Sequence, residues 1–371
     1  MDASYRLVYQ KYVGFTEEEK MFFLKNGLKI LGMLWIAIFL AGCDYNDKQA
    51  NVEARELITQ QADVKIQTTT WLTYWDLQDG AVDLKKISPR LEALAFFGAY
   101  FDKDQNVFIP KELQLKHSGL KKSGNYTEYL TVVNDRLNAD GSTSMKNIEM
   151  LKTVLGTEKD REHHIAAIMA LAKNGNYGGI EIDYERVWKD AKTKELFLKF
   201  IDRLYCESRE QNLKLRIILE PSTPFSTTNF VVGPEYVVML YNLYGTHTIL
   251  PGPKADTKFI KKTLAKMNTL PEPKAVAYSN GGCSWNTKGQ RKFITEKEAL
   301  EIIKKYKRVP VRDGDSQCLV LKYRKGITFY SVWYADATTM NYWISLAKEA
   351  GIQRVSLWRL GGNTSIEKVK L

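Results

Sequence analysis

The sequence predicts an α/β protein: a TIM (β/α)8 barrel with a small α+β insertion between its seventh and eighth strands. From residue 70 onward, short apolar runs alternate with amphipathic helical stretches, the pattern of a parallel sheet with helical crossovers. Eight such runs can be counted, the number that closes this barrel. The chain is also large enough, 371 residues of which 44% are hydrophobic, since such barrels commonly exceed ~200 residues as one domain.

Residues 1–43 stand apart from that pattern. Lys25 and Lys29 lead into an apolar run over residues 30–40 that ends in Leu40-Ala41-Gly42-Cys43. A basic lead, a short apolar centre and small residues before a Cys describe a secretory signal. The ending resembles the bacterial lipobox, which implies lipidation at Cys43 and a new N-terminus there. The run is shorter than the ~20 apolar residues of a comfortable membrane span, and the alternative is an uncleaved anchor helix. Either reading places the remainder outside the cytoplasm, on a bacterial membrane facing the envelope or exterior. Residues 1–20 are polar for such a segment, so Met21 is a candidate true start. Residues 44–68 are polar and read as a tether, and several acyl chains on one Cys give stable anchoring.

The barrel is expected over residues 69–371. Its strand candidates are TWLTYWD (70–76), ALAFFGAYF (93–101), EYLTVVN (128–134), GGIEIDYE (178–185), KLRIILEP (214–221), YVVMLYN (236–242), KAVAYSN (274–280) and RVSLWRL (354–360). HHIAAIMALAKNG and ELFLKFIDRLYCESREQ are typical of the helices between them. More than 70 residues separate the last two strands, far beyond an ordinary connection. Within them, EKEALEIIKKYK reads as a helix and CLVLKYR and ITFYSVW as strands. Asp313-Gly314-Asp315 supplies a turn and Lys325-Gly326 a hairpin. The insertion is expected at about 286–335, walling one side of a cleft.

Chemistry concentrates in GGIEIDYE. Glu181, Asp183 and Glu185 alternate with Ile180, Ile182 and Tyr184, so a strand turns the acids to one face. Both flanks look buried, so the acids face an enclosed space. Like charges in a partly desolvated site raise at least one carboxyl pKa, which is what a general acid needs near neutral pH. The bland alternative is salt bridging to some of the 54 Lys and Arg. Trp71, Trp188 and Trp343 read as core filler.

The rest of the composition narrows the field. Cys206, Cys283 and Cys318 make no full disulfide framework. Cys283 and Cys318 are a possible pair, and Cys206 reads as a buried thiol. His117, His163, His164 and His247 are scattered, as surface or loop residues are. No metal spacing and no Gly-rich phosphate loop occurs, so no metal and no other cofactor is expected. A net charge of +11 suits anionic envelope polymers or lipid head groups. Without a nucleic-acid-binding signature, no nucleic-acid partner is expected.

GGIEIDYE resembles the D-G-x-D-x-D-x-E signature of glycoside hydrolase family 18, the chitinases and related N-acetylglucosaminidases. Gly179, Asp183 and Glu185 match, while Gly178 and Glu181 stand where that pattern has Asp. The resemblance covers most of residues 70–363. YVVMLYN is similar to the family's sixth-strand M-x-Y-D element, with Met239 and Tyr241 in place and Asn242 where Asp is commoner. RVSLWRLGG resembles the eighth strand of the spore-cortex and cell-wall branch, with Trp358 at its floor Trp. FYSVWYADATTM resembles that branch's V-W-x-x-D-A segment, giving Trp333, Tyr334 and Asp336. FFGAYFDKDQN and YLTVVND are similar to its second- and third-strand ends.

The resemblance implies a retaining, substrate-assisted glycosidase acting on β-linked N-acetylglucosamine-containing glycans: chitin oligomers, peptidoglycan or N-glycan cores. Glu185 is then the general acid and base, Asp183 orients the substrate acetamido group, and Tyr241 donates a hydrogen bond to it. Trp358 stacks under the sugar, and Trp75, Trp285, Trp333, Tyr334 and Asp336 are further substrate contacts. Glu181, Asn242 and Met239 are supporting residues, Glu181 by sharing a proton with Asp183. The competing readings are a non-catalytic glycan-binding barrel and an envelope scaffold.

Overall fold

The computed structural model describes residues 65–120 and 124–371. The expected signal segment, Cys43 and most of the expected tether lie outside the described residues. Apart from two short antiparallel additions at Val107–Phe108 and Thr143–Ser144, the strands, in chain order, are β1 (Gln67–Thr73), β2 (Ala93–Phe101), β3 (Thr127–Leu137), β4 (Gly179–Asp183), β5 (Lys214–Leu219), β6 (Glu235–Met239) and β7 (Lys274–Ser279), then β8 (Gly281–Asn286), β9 (Arg291–Ile294), β10 (Val311–Arg312), β11 (Leu319–Lys325), β12 (Thr328–Ala335) and β13 (Arg354–Trp358). The helices are α1 (Leu77–Ile87), α2 (Lys111–Leu120), α3 (Ile148–Val154), α4 (Glu158–Asn174), α5 (Ala191–Glu210), α6 (Thr257–Lys266), α7 (Glu296–Tyr306) and α8 (Ala337–Glu349). Strands β1 to β7 pair in sequence, β7 pairs β13, and β13 returns to β1, every pair parallel. This is the closed TIM barrel.

Period-two alternation sorts the strand residues into two cores. Ile180, Ile182 and Tyr184 face outward and join Phe197, Phe200, Ile201 and Leu204 of α5 in the large cluster between barrel and helices. The lumen is filled from the other faces, by Trp71, Ala95, Phe97, Tyr129, Ile218, Val237, Met239, Tyr241 and Ala277. On α5 the buried residues recur at helical spacing, and Cys206 falls on the solvent side as an exposed free thiol, where a buried one was expected. Cys283 and Cys318 are buried free thiols.

The insertion is a five-stranded sheet ordered β9-β8-β12-β11-β10 with α7 against it. It starts at Gly281, five residues before the expected 286. Sequence reasoning passed over three of its strands, β8, β9 and β10; β8 opens on two glycines and so shows no apolar alternation. A Cβ on Gly282 would lie 1.7 Å from the Trp333 carbonyl oxygen, so only glycine allows β8 to approach β12. The expected Lys325-Gly326 hairpin joins β11 to β12, with Gly326 at φ 58. Thr295 caps α7 through a reciprocal capping box with Glu298.

Two of the scattered histidines are core residues rather than surface ones. His117 stacks on Tyr177 and meets the Glu128 carboxylate at 2.8 Å. His164, on α4, stacks between Phe101 and Phe200 and meets the Tyr184 hydroxyl at 2.7 Å. Burial holds its pKa down at about 3, against an ordinary 6.5. It is neutral when folded and binds a proton when unfolded, so its contribution is present above pH 6.5 and is lost as pH falls towards 3. His164→Gln should therefore flatten the dependence of unfolding free energy on pH, by ~1.4 kcal/mol per pH unit between about pH 4 and 5.5. Urea unfolding across that range checks it, and an unchanged slope would remove His164 from the account.

Candidate active site

The three acids of β4 and its following turn point into the barrel at increasing height, and each meets a different environment. Glu181 lies deepest and is fully buried. Its Oε1 accepts from Trp71 Nε1 at 2.5 Å and Thr131 Oγ1 at 2.7 Å, and its Oε2 lies 3.3 Å from Arg216 Nη1. Burial pushes its carboxyl up, opposed by Arg216, Thr131 and Trp71. This differs from the expected shared proton with Asp183. The longer Glu side chain turns instead to β5, where Arg216 takes it up.

Arg216 was not anticipated as a site residue. It donates to Ser356 Oγ at 2.8 Å, lies 3.3 Å from Glu235 Oε1, and sits over the Tyr129 ring at 5.3 Å. The signal in the sequence was the charge of Arg216 set between Leu215 and Ile217 inside KLRIIL. Gly179 keeps this layer compact, since a Cβ there would strike the Tyr129 ring at 2.4 Å. Gly178 is exposed at the opposite end of β4 from Glu185. The missing Asp of the pattern therefore does not touch the upper carboxylates.

Asp183 occupies the middle level. Its Oδ1 is sealed from solvent and has no hydrogen-bond partner. Burial first, then the Glu185 and Glu181 charges, hold its carboxyl well above the usual carboxylate range. Tyr241 is buried just beyond β6, and its phenol is likewise raised by burial and then by Asp183, Glu185 and Glu181. An unpartnered carboxylate oxygen facing a lumen with a phenol nearby is a polar receptor waiting for a donor.

Glu185 sits at the rim. Its backbone N–H donates to Asn134 Oδ1 at 3.0 Å and its carbonyl accepts from Asn134 Nδ2 at 3.1 Å. Arg186 follows in the left-handed region (φ 66) and donates its N–H to Glu220 Oε2 at 2.7 Å. Two neighbouring strands thus fix the turn that aims Glu185. The carboxylate accepts from Lys146 Nζ. Burial raises the Glu185 carboxyl, Lys146 pulls it down, and Glu220 and Asp135 push it up, with a net rise.

Aromatic residues line the same mouth. Trp358, at the end of β13, packs edge-on to Trp71 (5.7 Å) and Phe97 (4.8 Å) and is half-buried. Trp75 meets Phe97 at 5.8 Å, remains 50% exposed, and carries the Arg359 guanidinium over its ring at 5.8 Å. Met239 packs beneath Tyr241 in the lumen cluster. Asn242 is exposed, in the left-handed region at φ 67.

The expected contacts from the insertion sit elsewhere. Tyr334 is buried in the insertion's own core with Ile294, Ala299 and Leu321. Asp336 caps α8 through the Thr339 N–H at 2.9 Å and holds Arg312 at 2.7 and 3.1 Å, so both oxygens are engaged. Alternation along β12 puts Tyr334 on the α7 side of the sheet. Trp333 and Trp285 share the other side. Trp333 packs against the outer core, and Trp285 is 4% exposed with its indole N–H given to the Thr248 carbonyl at 3.0 Å.

No family model matches the chain. A Bacillus subtilis (strain 168) protein described as an uncharacterized glycosylase, YvbX, is 25% identical over 235 residues, 58% of this chain and 67% of that one. The spore cortex-lytic enzyme SleL of Bacillus cereus superimposes with a TM-score of 0.70 at 17% identity, over 82% of this chain and 73% of that one. A chitinase from Chromobacterium violaceum gives 0.69 at 17%, over 82% and 96%. The chain therefore shares the barrel fold of these proteins.

The lumen ion pair makes a prediction about stability. Arg216→Met leaves Glu181 buried without its cation and should lower the unfolding free energy by ~3–5 kcal/mol. The double variant Arg216→Met/Glu181→Leu removes both charges and should recover much of that loss. Denaturant titration of the three proteins checks this, and a single variant as stable as the parent contradicts it.

Proposed function

We propose that the chain is a retaining glycoside hydrolase of family 18 type, cleaving β-linked N-acetylglucosamine-containing glycans with the help of the substrate's own acetamido group. The observation that carries this reading is the pairing of two raised carboxyls at one barrel mouth. Asp183 has a sealed, unpartnered oxygen beside Tyr241, and Glu185 stands above it at the rim. The glycosylase and chitinase descriptions of the similar proteins agree with it.

On this reading the sugar rests on Trp358, and Asp183 accepts from the acetamido N–H while Tyr241 donates to its carbonyl oxygen. Glu185 gives its proton to the glycosidic oxygen. The bond from that oxygen to C1 breaks with its electron pair leaving on oxygen, and the acetamido oxygen bonds to C1, giving a cationic oxazolinium. Asp183 stabilises that charge. Water then attacks C1, passes a proton to Glu185 and reopens the ring. Two displacements at C1 give net retention. The developing cation favours the ionised form of Asp183, whose carboxyl is raised before the sugar arrives, and an anion so placed is worth ~10²–10³ in turnover.

The second reading is a glycan-binding barrel without turnover. What favours it is the Lys146 contact, which stabilises the ionised form of the group that must donate a proton. The reading extends to location: Cys43 tethers the enzyme to the bacterial membrane, where the positive charge faces anionic envelope polymers.

Peptidoglycan, chitin oligomers and a high-mannose glycopeptide digested side by side, with new reducing ends identified by mass, separate these possibilities. Glu185→Gln should keep the fold and sugar binding while activity falls by ~10²–10⁴. Because Glu185 works protonated and its carboxyl is raised above 4.5, activity of the parent should fade on a basic limb above pH 4.5. Glu185→Gln hydrolysing as well as the parent rules the assignment out, and bound sugar without turnover in the parent favours the second reading.

A further inference from the structure

Lys146 is placed by backbone, not by chance. It lies in the left-handed region (φ 53), and its N–H donates to Asp135 Oδ1 at 2.7 Å. The next residue, Asn147, is tied to the Asn134 carbonyl at 2.8 Å and caps α3 through the Met150 N–H at 2.9 Å. The side chain projects from this anchor to Glu185 Oε2. It remains 33% exposed, against 18% for the Glu185 side chain, so the pair faces the open mouth. Around it the charges are acidic: Asp135 on β3 acts on both Asp183 and Glu185, and Glu220 beyond β5 acts on Glu185.

Any group within ion-pair reach of the general acid stands beside the sugar that leaves, because the acid must touch the leaving oxygen. A neutral leaving sugar offers Lys146 nothing and leaves it on Glu185. An anionic substituent on the carbon next to the leaving oxygen, such as a 3-O-lactyl carboxylate on a sugar that leaves through O4, arrives at the ammonium itself. We propose that Lys146 is a specificity-determining residue: it exchanges Glu185 for a carboxylate on the leaving sugar, so that the acid is freed on carboxylate-bearing glycans and restrained on neutral ones. This rests on the glycosidase reading above. Glu185, once released, takes a proton from solvent in a site already rich in carboxylates. Lys146 is in this sense a positioning residue, acting through Glu185.

The test uses two tetrasaccharides of alternating N-acetylglucosamine and 3-O-lactyl-N-acetylglucosamine, one as the free acid and one as the neutral lactyl methylamide. The wild type should favour the acid by at least about tenfold in kcat/KM, the scale of one charge-assisted hydrogen bond. In Lys146→Met the preference should collapse towards unity, and the basic limb of the methylamide pH profile should move up. Lys146→Arg should keep the preference. A preference that survives in Lys146→Met overturns the proposal. So does an equal fall on both substrates with an unmoved pH limb, the mark of a purely structural role. A wild type that cleaves both equally sinks the proposal and leaves the glycosidase reading standing. If the wild type cleaves neither, that reading fails. Calorimetric titration of the same pair into Glu185→Gln, with and without Lys146→Met, then decides the carboxylate site alone: tighter binding of the acid that depends on Lys146 upholds it, and equal binding overturns it.

Discussion

Closing eight strands on themselves leaves each strand one face for the helices and one for a lumen too narrow for bulk water, and on β4 the lumen face carries the acids. Everything around them answers that constraint. A carboxylate forced inward needs a cation, a set of donors, or a proton. The lumen supplies all three at successive heights. Arg216 and two neutral donors serve Glu181, burial and like charge favour a proton on Asp183, and Lys146 serves Glu185 at the rim.

The lower pair and the upper pair thus have separate tasks. Glu181 and Arg216 knit β4 to β5 and, through Ser356 and Glu235, to β13 and β6. That interior bracing sets the floor on which Asp183 and Tyr241 stand. The charge of Glu181 still reaches both of them, so the floor tunes the site without touching a substrate.

Much of the fold was legible in the sequence because the period of a strand needs no tertiary knowledge. Ile180, Ile182 and Tyr184 announced an outward face, and the acids an inward one. Asp183, Glu185, Tyr241 and Trp358 converge because each closes or follows a barrel strand. Tyr334 and Asp336 did not follow, since their direction depends on a sheet whose first strand is made of GGCSWN, with glycines chosen for space and no alternation to read. Lys146 was invisible for another reason. It lies in a loop, and its aim comes from Asp135, Asn134 and a left-handed backbone, which have no period.

The brace between Asn134 and Glu185 has a wider meaning. The parallel ladder of β3 and β4 ends at Val133 and Asp183. Asn134 then uses its side-chain amide as a substitute peptide group, donating and accepting as a backbone unit would, and adds one more rung beyond the last strand pair. The motif GGIEIDYE is therefore not a portable cassette. Grafted into a barrel whose third strand carries another residue just past that ladder, it would bring the acids without the rung that points Glu185 inward.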